Sequence, residues 1–84
     1  MSYCSRDGHP LTLEQWTQLR PAERVALTEL PGCVVSTLWV GVDVGDGLIF
    51  ETVLLRGGEV DMFERYATEL DAIKGHLRWV ERYS

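Results

Sequence analysis

Two histidines, two cysteines and thirteen carboxylates are the side chains in this sequence best suited to chemistry beyond packing. His76 is the only histidine inside a periodic segment, between Ile73 and Trp79. An imidazole there either serves as base or ligand, or hydrogen-bonds at the edge of a core. Cys4, His9, Cys33 and His76 together would supply two thiolates and two imidazoles, a zinc donor set. They lack the C-x₂-C and H-x₃-H spacings by which short chains hold zinc. Asp43 and Glu51 flank a short loop and could approach each other across it, and paired carboxylates bind a metal or divide acid and base roles. No nucleophile accompanies them. Gly41 to Gly47 (GVDVGDG) is glycine-rich but leads into a strand, without a phosphate loop's lysine or following helix, so it reads as turn chemistry. The residues therefore predict no enzyme and no cofactor, with Asp43 and Glu51 as the remaining metal or acid–base candidates.

The elements that would position these groups are organised around Val34 to Leu55, VVSTLWVGVDVGDGLIFETVLL. Two β-branched, aromatic-rich runs are separated by Gly45-Asp46-Gly47, which signals a hairpin. Alternation puts Val34, Ser36, Leu38, Val40 and Val42 on one face. Val35, Thr37, Trp39, Gly41 and Asp43 fall on the other, the less apolar of the two. In the second run Leu48, Phe50, Thr52 and Leu54 alternate with Ile49, Glu51, Val53 and Leu55. Gly57-Gly58 marks the next turn, and Glu59 to Tyr66 reads as a final strand. One apolar and one mixed face predict a sheet covered mainly on one side.

Before the hairpin, residues 1–11 read as an extended polar lead-in. Thr12 with Gln15 forms a capping box and Leu11 with Trp16 a hydrophobic staple, opening a helix of about two turns. Pro21 ends it, and Trp16 and Leu19 are its expected buried side. Pro21 to Leu30 is ambiguous. As a helix it gathers Ala22, Val25, Ala26 and Leu30 on one face, whereas as a strand Arg24 to Leu30 pairs with Val34 onward across Pro31-Gly32. The last element is a helix capped by Thr68. Its apolar half holds Leu70, Ala72, Ile73, His76, Leu77, Trp79, Val80 and Tyr83, and its polar half Asp71, Lys74, Gly75, Arg78, Glu81 and Arg82. That apolar arc is wider than one sheet contact needs, and Ala72, Trp79 and Tyr83 are the surplus expected to meet the first helix or a second copy.

Composition narrows the partners. Eighty-four residues, 45% hydrophobic and with eight aromatics, suffice for one small domain with a core. No run approaches the ~18 apolar residues of a membrane span, and the start lacks a signal peptide's apolar segment, so a cytoplasmic chain is the expectation. Two cysteines do not make a disulfide scaffold. The net charge of −5 is concentrated in residues 41–71, where eight acids face Arg56 and Arg65. Nucleic acid binding needs a basic stripe, which is missing, so no direct nucleic acid partner is expected. The acids Glu59, Asp61 and Glu64 either solvate the surface, meet a basic partner or mimic nucleic acid toward one. Trp39 is either covered by Trp16 or exposed as an interaction anchor, with Trp79 and Tyr83 as further candidates.

The strings DGHPLTLEQW, ERVALTEL, VSTLWVGVD, LIFETVLL and RYATELDAIKGH resemble a family of small uncharacterised proteins of actinobacteriophages, prophages and actinobacteria, over roughly Asp7 to His76. Members commonly carry a histidine after the aspartate of VSTLWVGVD and a longer loop before LIFET. Here Val44 stands in that place and the loop is short. The segment matching ERVALTEL is strand-like in the family, which implies a strand for Arg24 to Leu30. The resemblance brings no activity or cofactor. It implies a phage or prophage accessory protein in a bacterial cytoplasm. The combined expectation is an α+β domain spanning residues 1–84. It has a three- or four-stranded antiparallel meander, a C-terminal helix across one face and a short N-terminal helix. Its expected work is to bind a host or phage protein, or a second copy of itself as a homodimer.

Overall fold

A computed structural model describes all residues, 1–84. In chain order the elements are β1 (Ser2–Cys4), β2 (Pro10–Leu11), α1 (Leu13–Leu19), a single 3-10 turn (Arg20–Ala22), β3 (Arg24–Leu30), β4 (Cys33–Trp39), β5 (Val42–Asp43), β6 (Phe50–Arg56), β7 (Glu59–Tyr66) and α2 (Glu69–Tyr83). The fold is α+β. Four strands form an antiparallel meander in the order β3-β4-β6-β7, and a smaller sheet runs β2-β1-β5.

The turns explain the meander. Gly57 and Gly58 both take positive φ, 59° and 82°, as a two-residue type I′ hairpin between β6 and β7 requires. Gly32, with φ 83°, fits the second central position of a type II turn after Pro31. Leu30 and Cys33 pair across that turn. Arg24 to Leu30 is therefore a strand. Its helix propensity is overridden by a ladder to β4 that a helix could not make.

The polar lead-in is tied down. Tyr3 pairs with Leu11 on one side and with Val42 on the other, and the Tyr3 and Trp16 rings lie 4.9 Å apart. The Thr12–Gln15 capping box forms in both directions. Trp16 is half-buried and its Nε1 donates to the Val40 carbonyl at 3.0 Å. Leu19, expected on the buried side of α1, is exposed.

α2 starts at Thr68, whose hydroxyl accepts from the Asp71 amide, and lies on one face of the four-stranded sheet. Its buried side is Ala72, Gly75 and His76, continued by half-buried Trp79, Val80 and Tyr83. Gly75 belongs to this side and not to the polar half: a Cβ there would overlap the Tyr66 phenol. The surplus apolar edge is also different from the expected one. Ala72 is fully buried, Trp79 and Tyr83 pack on the sheet, and Leu70, Ile73 and Leu77 are the exposed side chains.

The sheet face under α2 is the one whose β4 residues are Val35, Thr37 and Trp39, all essentially buried. This reverses the ranking by apolarity, and Trp39, at 2% exposure, is no surface anchor. The reason lies in the register. Rows across the sheet run Ala26–Thr37–Thr52–Glu64 and Thr28–Val35–Leu54–Met62 on the helix side, so Thr37 and Thr28 meet His76, Thr52 bonds Thr37, and these hydroxyls are satisfied. Two apolar clusters flank this polar layer. Trp39, Ile49, Phe50, Tyr66 and Ala72 lie on one side of it, and Cys33, Val35 and Leu54 on the other.

Candidate functional site

His76, Tyr66 and Glu64, the perturbed titratable groups of the main sheet and α2, are all hydrogen-bonded to other side chains. His76 is 3% exposed. Its Nδ1 is 2.7 Å from the Thr37 hydroxyl and its Nε2 2.9 Å from that of Thr28. A neutral imidazole donates through one nitrogen and accepts through the other, and a hydroxyl can answer either. Burial pushes the His76 pKa below its ordinary value. Tyr66 donates to Glu64 Oε1 at 2.6 Å, and Trp79 Nε1 donates to the same oxygen at 3.1 Å. The Tyr66 bond holds the Glu64 carboxyl below the usual range, helped by Trp79. Burial, then the Glu64 contact, raises the Tyr66 phenol to about 12.

The expected carboxylate pair does not form. Asp43 Oδ1 accepts from the Gly47 amide at 2.9 Å and the Gly45 amide at 2.8 Å, and these two bonds lower its pKa. Asp43 belongs to β5, which leaves the hairpin to pair with Ser2. Glu51 sits opposite Leu38 and Arg65 in the main sheet and bonds Arg65 Nε at 3.4 Å. The cysteines are likewise separated, Cys4 packing on the Trp39 cluster and Cys33 lying in the other. No three histidine, cysteine or acidic side chains converge as a metal site would require. The most enclosed cleft, lined by Arg6, Leu19, Ala22 and Trp39, holds about 90 Å³, and two larger, more open hollows lie beside Gly32 and Gly58, about 520 Å³, and beside Ser36 and Leu38, about 310 Å³.

The expected acidic cluster is divided in the same way. Glu64 is committed to Tyr66 and Trp79, Asp61 pairs with Arg56 at 3.2 Å, and only Glu59 is without an ion pair. Tyr83 is half-buried, its hydroxyl 3.2 Å from Met62 Sδ and its ring under Arg56. Neither Trp79 nor Tyr83 projects as an anchor.

What remains uncovered is the sheet face opposite α2. Register assigns it three rows: Arg24–Leu38–Glu51–Arg65, Leu27–Ser36–Val53–Phe63 and Glu29–Val34–Leu55–Val60. Phe63 is 62% and Val60 59% exposed, Leu27 is exposed as well, and Leu38, Val53 and Leu55 are half-buried. Four strands about 4.8 Å apart and some 20 Å long give this face roughly 400 Å² in projection, of which the two rows through Val53 and Leu55 are the mainly apolar part. It carries Arg24 and Arg65 against Glu29 and Glu51, so it is electrically balanced in a chain of net charge −5. The sequence held this signal in Val53, Val60 and Phe63. It was hidden because Val34, Leu38 and their neighbours were the more apolar face and so read as the inner one. No helix is long and apolar enough to cross a membrane. Comparison with known proteins finds no matching family model, no matching curated protein and no matching solved structure.

Proposed function

We propose that this chain is a non-enzymatic binding protein that docks a partner protein on the open face of its four-stranded sheet. The observation that carries this reading is the row Leu27–Ser36–Val53–Phe63, apolar but for the buried Ser36 and exposed at both ends, with Val60 and Leu55 beside it. Burying a Phe or Leu side chain is worth about 1.5–3 kcal/mol, and an exposed group of them on a flat sheet suits a protein surface better than a small ligand. The charge balance of the face favours a partner that is apolar at its centre and mixed at its rim, not a nucleic-acid-binding protein deceived by acids. In the setting that the sequence resemblance implies, the partner is a host or phage protein and the meeting place the bacterial cytoplasm.

The test is affinity capture from an actinobacterial lysate with the tagged chain, washed at low and at high salt, beside Phe63→Glu. Phe63 is exposed on an edge strand, so the variant folds. A partner retained at high salt by the parent and lost from Phe63→Glu is the expected result, because apolar contacts are little screened. Capture that is equal in both, or that disappears at high salt, overturns the reading.

A further inference from the structure

The two edges of the main sheet are unlike. β7 carries Glu59, Asp61 and Glu64 against Arg65, and like charges along an edge oppose pairing with another copy. β3, RVALTEL, carries one charge of each sign, Arg24 at its start and Glu29 near its end. Both lie on the open side of the sheet, opposite Leu38 and Val34, because the irregularity between Arg24 and Ala26 restores Arg24 to that side. Both are exposed and neither is in an ion pair. Since Leu30 and Cys33 close a two-residue turn and pair inward, ladder alternation points the backbone groups of Leu27 and Glu29 outward. Arg6 bonds the Ala22 and Arg24 carbonyls, so the free stretch of this edge is the one around Leu27.

The side of α2 that carries Ile73 is turned toward that edge. Trp79 and Arg78 reach Glu64 on β7, whereas His76 reaches Thr28 on β3. At about 100° per residue, Ile73 and Leu77 continue the turn from His76 away from β7, with Leu70 beside them. Leu70 and Leu77 are 60% and 61% exposed.

We infer that β3 is a self-association edge, joining a second copy of this chain antiparallel across a two-fold axis near Leu27. Antiparallel pairing brings the positive start of each β3 against the negative end of the other, so Arg24 faces the partner's Glu29 twice. A parallel arrangement would set like charges together. The two-fold also closes the assembly, whereas pairing β3 with β7 would propagate it. Leu27 meets its own copy at the centre, and Ile73 of each helix borders the junction from above. The dimer shares Leu27, Arg24 and Glu29 with the margin of the open face but leaves Val53, Val60 and Phe63, toward the opposite edge, to the partner protein.

Sedimentation or light scattering of the full chain over a range of concentrations tests it. The expected species has twice the 9.5 kDa mass of the chain. Arg24→Glu and Glu29→Arg, each placing like charges face to face twice, weaken the dimer by about tenfold. The double variant, which exchanges the two signs, restores it. Ile73→Lys weakens it too, and Phe63→Glu leaves it unchanged while abolishing partner capture. A monomer at every concentration overturns the inference, as does a double variant no better than the singles. A dimer lost in Phe63→Glu but indifferent to Arg24→Glu overturns it as well, since the two-fold would then lie on the open face.

Discussion

Gly75→Ala is the substitution in which two well-understood effects have opposite signs and the structure decides between them. Within a helix, alanine is favoured over glycine by up to ~1 kcal/mol, because glycine gives up more backbone freedom on folding. At Gly75 the added methyl would occupy the space of the Tyr66 ring. That ring is buried in the cluster with Trp39 and Phe50 and fixed by its bond to Glu64. Overpacking of a filled site costs about 1–3 kcal/mol, and displacing the phenol threatens a charge-assisted hydrogen bond of some 1.5–3 kcal/mol. The clash therefore wins, and Gly75→Ala destabilises by roughly 1–3 kcal/mol net. Urea unfolding, with a slope near 1 kcal/mol/M for a chain this small, would register a midpoint lower by about 1 M or more. In a Tyr66→Leu background the ring is gone, and the same change should stabilise by about 0.5–1 kcal/mol. The change of sign is the diagnostic. If Gly75→Ala stabilises the parent chain, or costs the same with and without Tyr66, then Tyr66 does not seat on Gly75 and α2 is packed otherwise.

Three further outcomes follow from the polar layer and its neighbours. Burial holds the His76 imidazole below its ordinary pKa of 6.5, so the unfolded chain binds that proton more readily. The stabilisation is whole above about pH 6.5 and is lost as pH falls through the folded value. Urea midpoints between pH 7 and 5 should decline in the parent and stay flatter in His76→Gln, whereas Asp43 and Glu64, both lowered, withdraw their contributions only in the more acidic carboxylate range. Thr37→Val keeps the shape but strips a hydroxyl from between His76 and Thr52. A cost of about 1–3 kcal/mol is expected by chemical denaturation, and a neutral result would show that the layer is not hydrogen-bonded as described. Trp39→Ala should cost about 3–5 kcal/mol, measured as an earlier thermal midpoint. Any loss of partner binding in that variant then reports on folding and not on contact.

Local signals were legible in the sequence wherever one residue type answers one backbone need. Thr12 with Gln15, Thr68 at the start of α2, and Gly57-Gly58 each name a cap or a turn without reference to the rest of the chain. Whatever depends on a distant partner was not. Ser2 to Cys4 has no strand pattern of its own and becomes a strand because Leu11 and Val42 lie on either side of Tyr3. Asp43 and Glu51 looked like neighbours across a loop, but the main ladder closes at Trp39 and Phe50 and β5 turns away to β1. Gly75 fell in the polar half of the helical wheel because a missing side chain has no hydropathy, whereas its actual role is to make room for Tyr66.

The inversion of the sheet follows from the same limit, and it bears most on function. Ranking faces by apolarity puts Val34, Leu38 and Val40 inside and leaves Thr37 and Trp39 outside. That ranking charges the inner face for each threonine hydroxyl as though it were left unsatisfied. Burying a hydroxyl without a partner costs on the order of 1–3 kcal/mol, but with a partner the cost largely disappears. His76, thirty-nine residues from Thr37 along the chain, supplies that partner, and no buried side-chain polar atom is left without one. Once Thr37 links Thr52 to His76 and Thr28 takes the other imidazole nitrogen, the face with Trp39, Phe50 and Leu54 contains the larger apolar volume and wins the helix. The valines and leucines of the other face are then left outward, beside Phe63. The buried polar layer thus leaves outward the apolar surface proposed for binding. Replacing Thr37, Thr52 and His76 together by Val, Val and Leu should therefore leave the open face and its partner capture intact while removing the His76-dependent acid sensitivity. Loss of capture in a folded triple variant would show that the polar layer is part of the binding site itself.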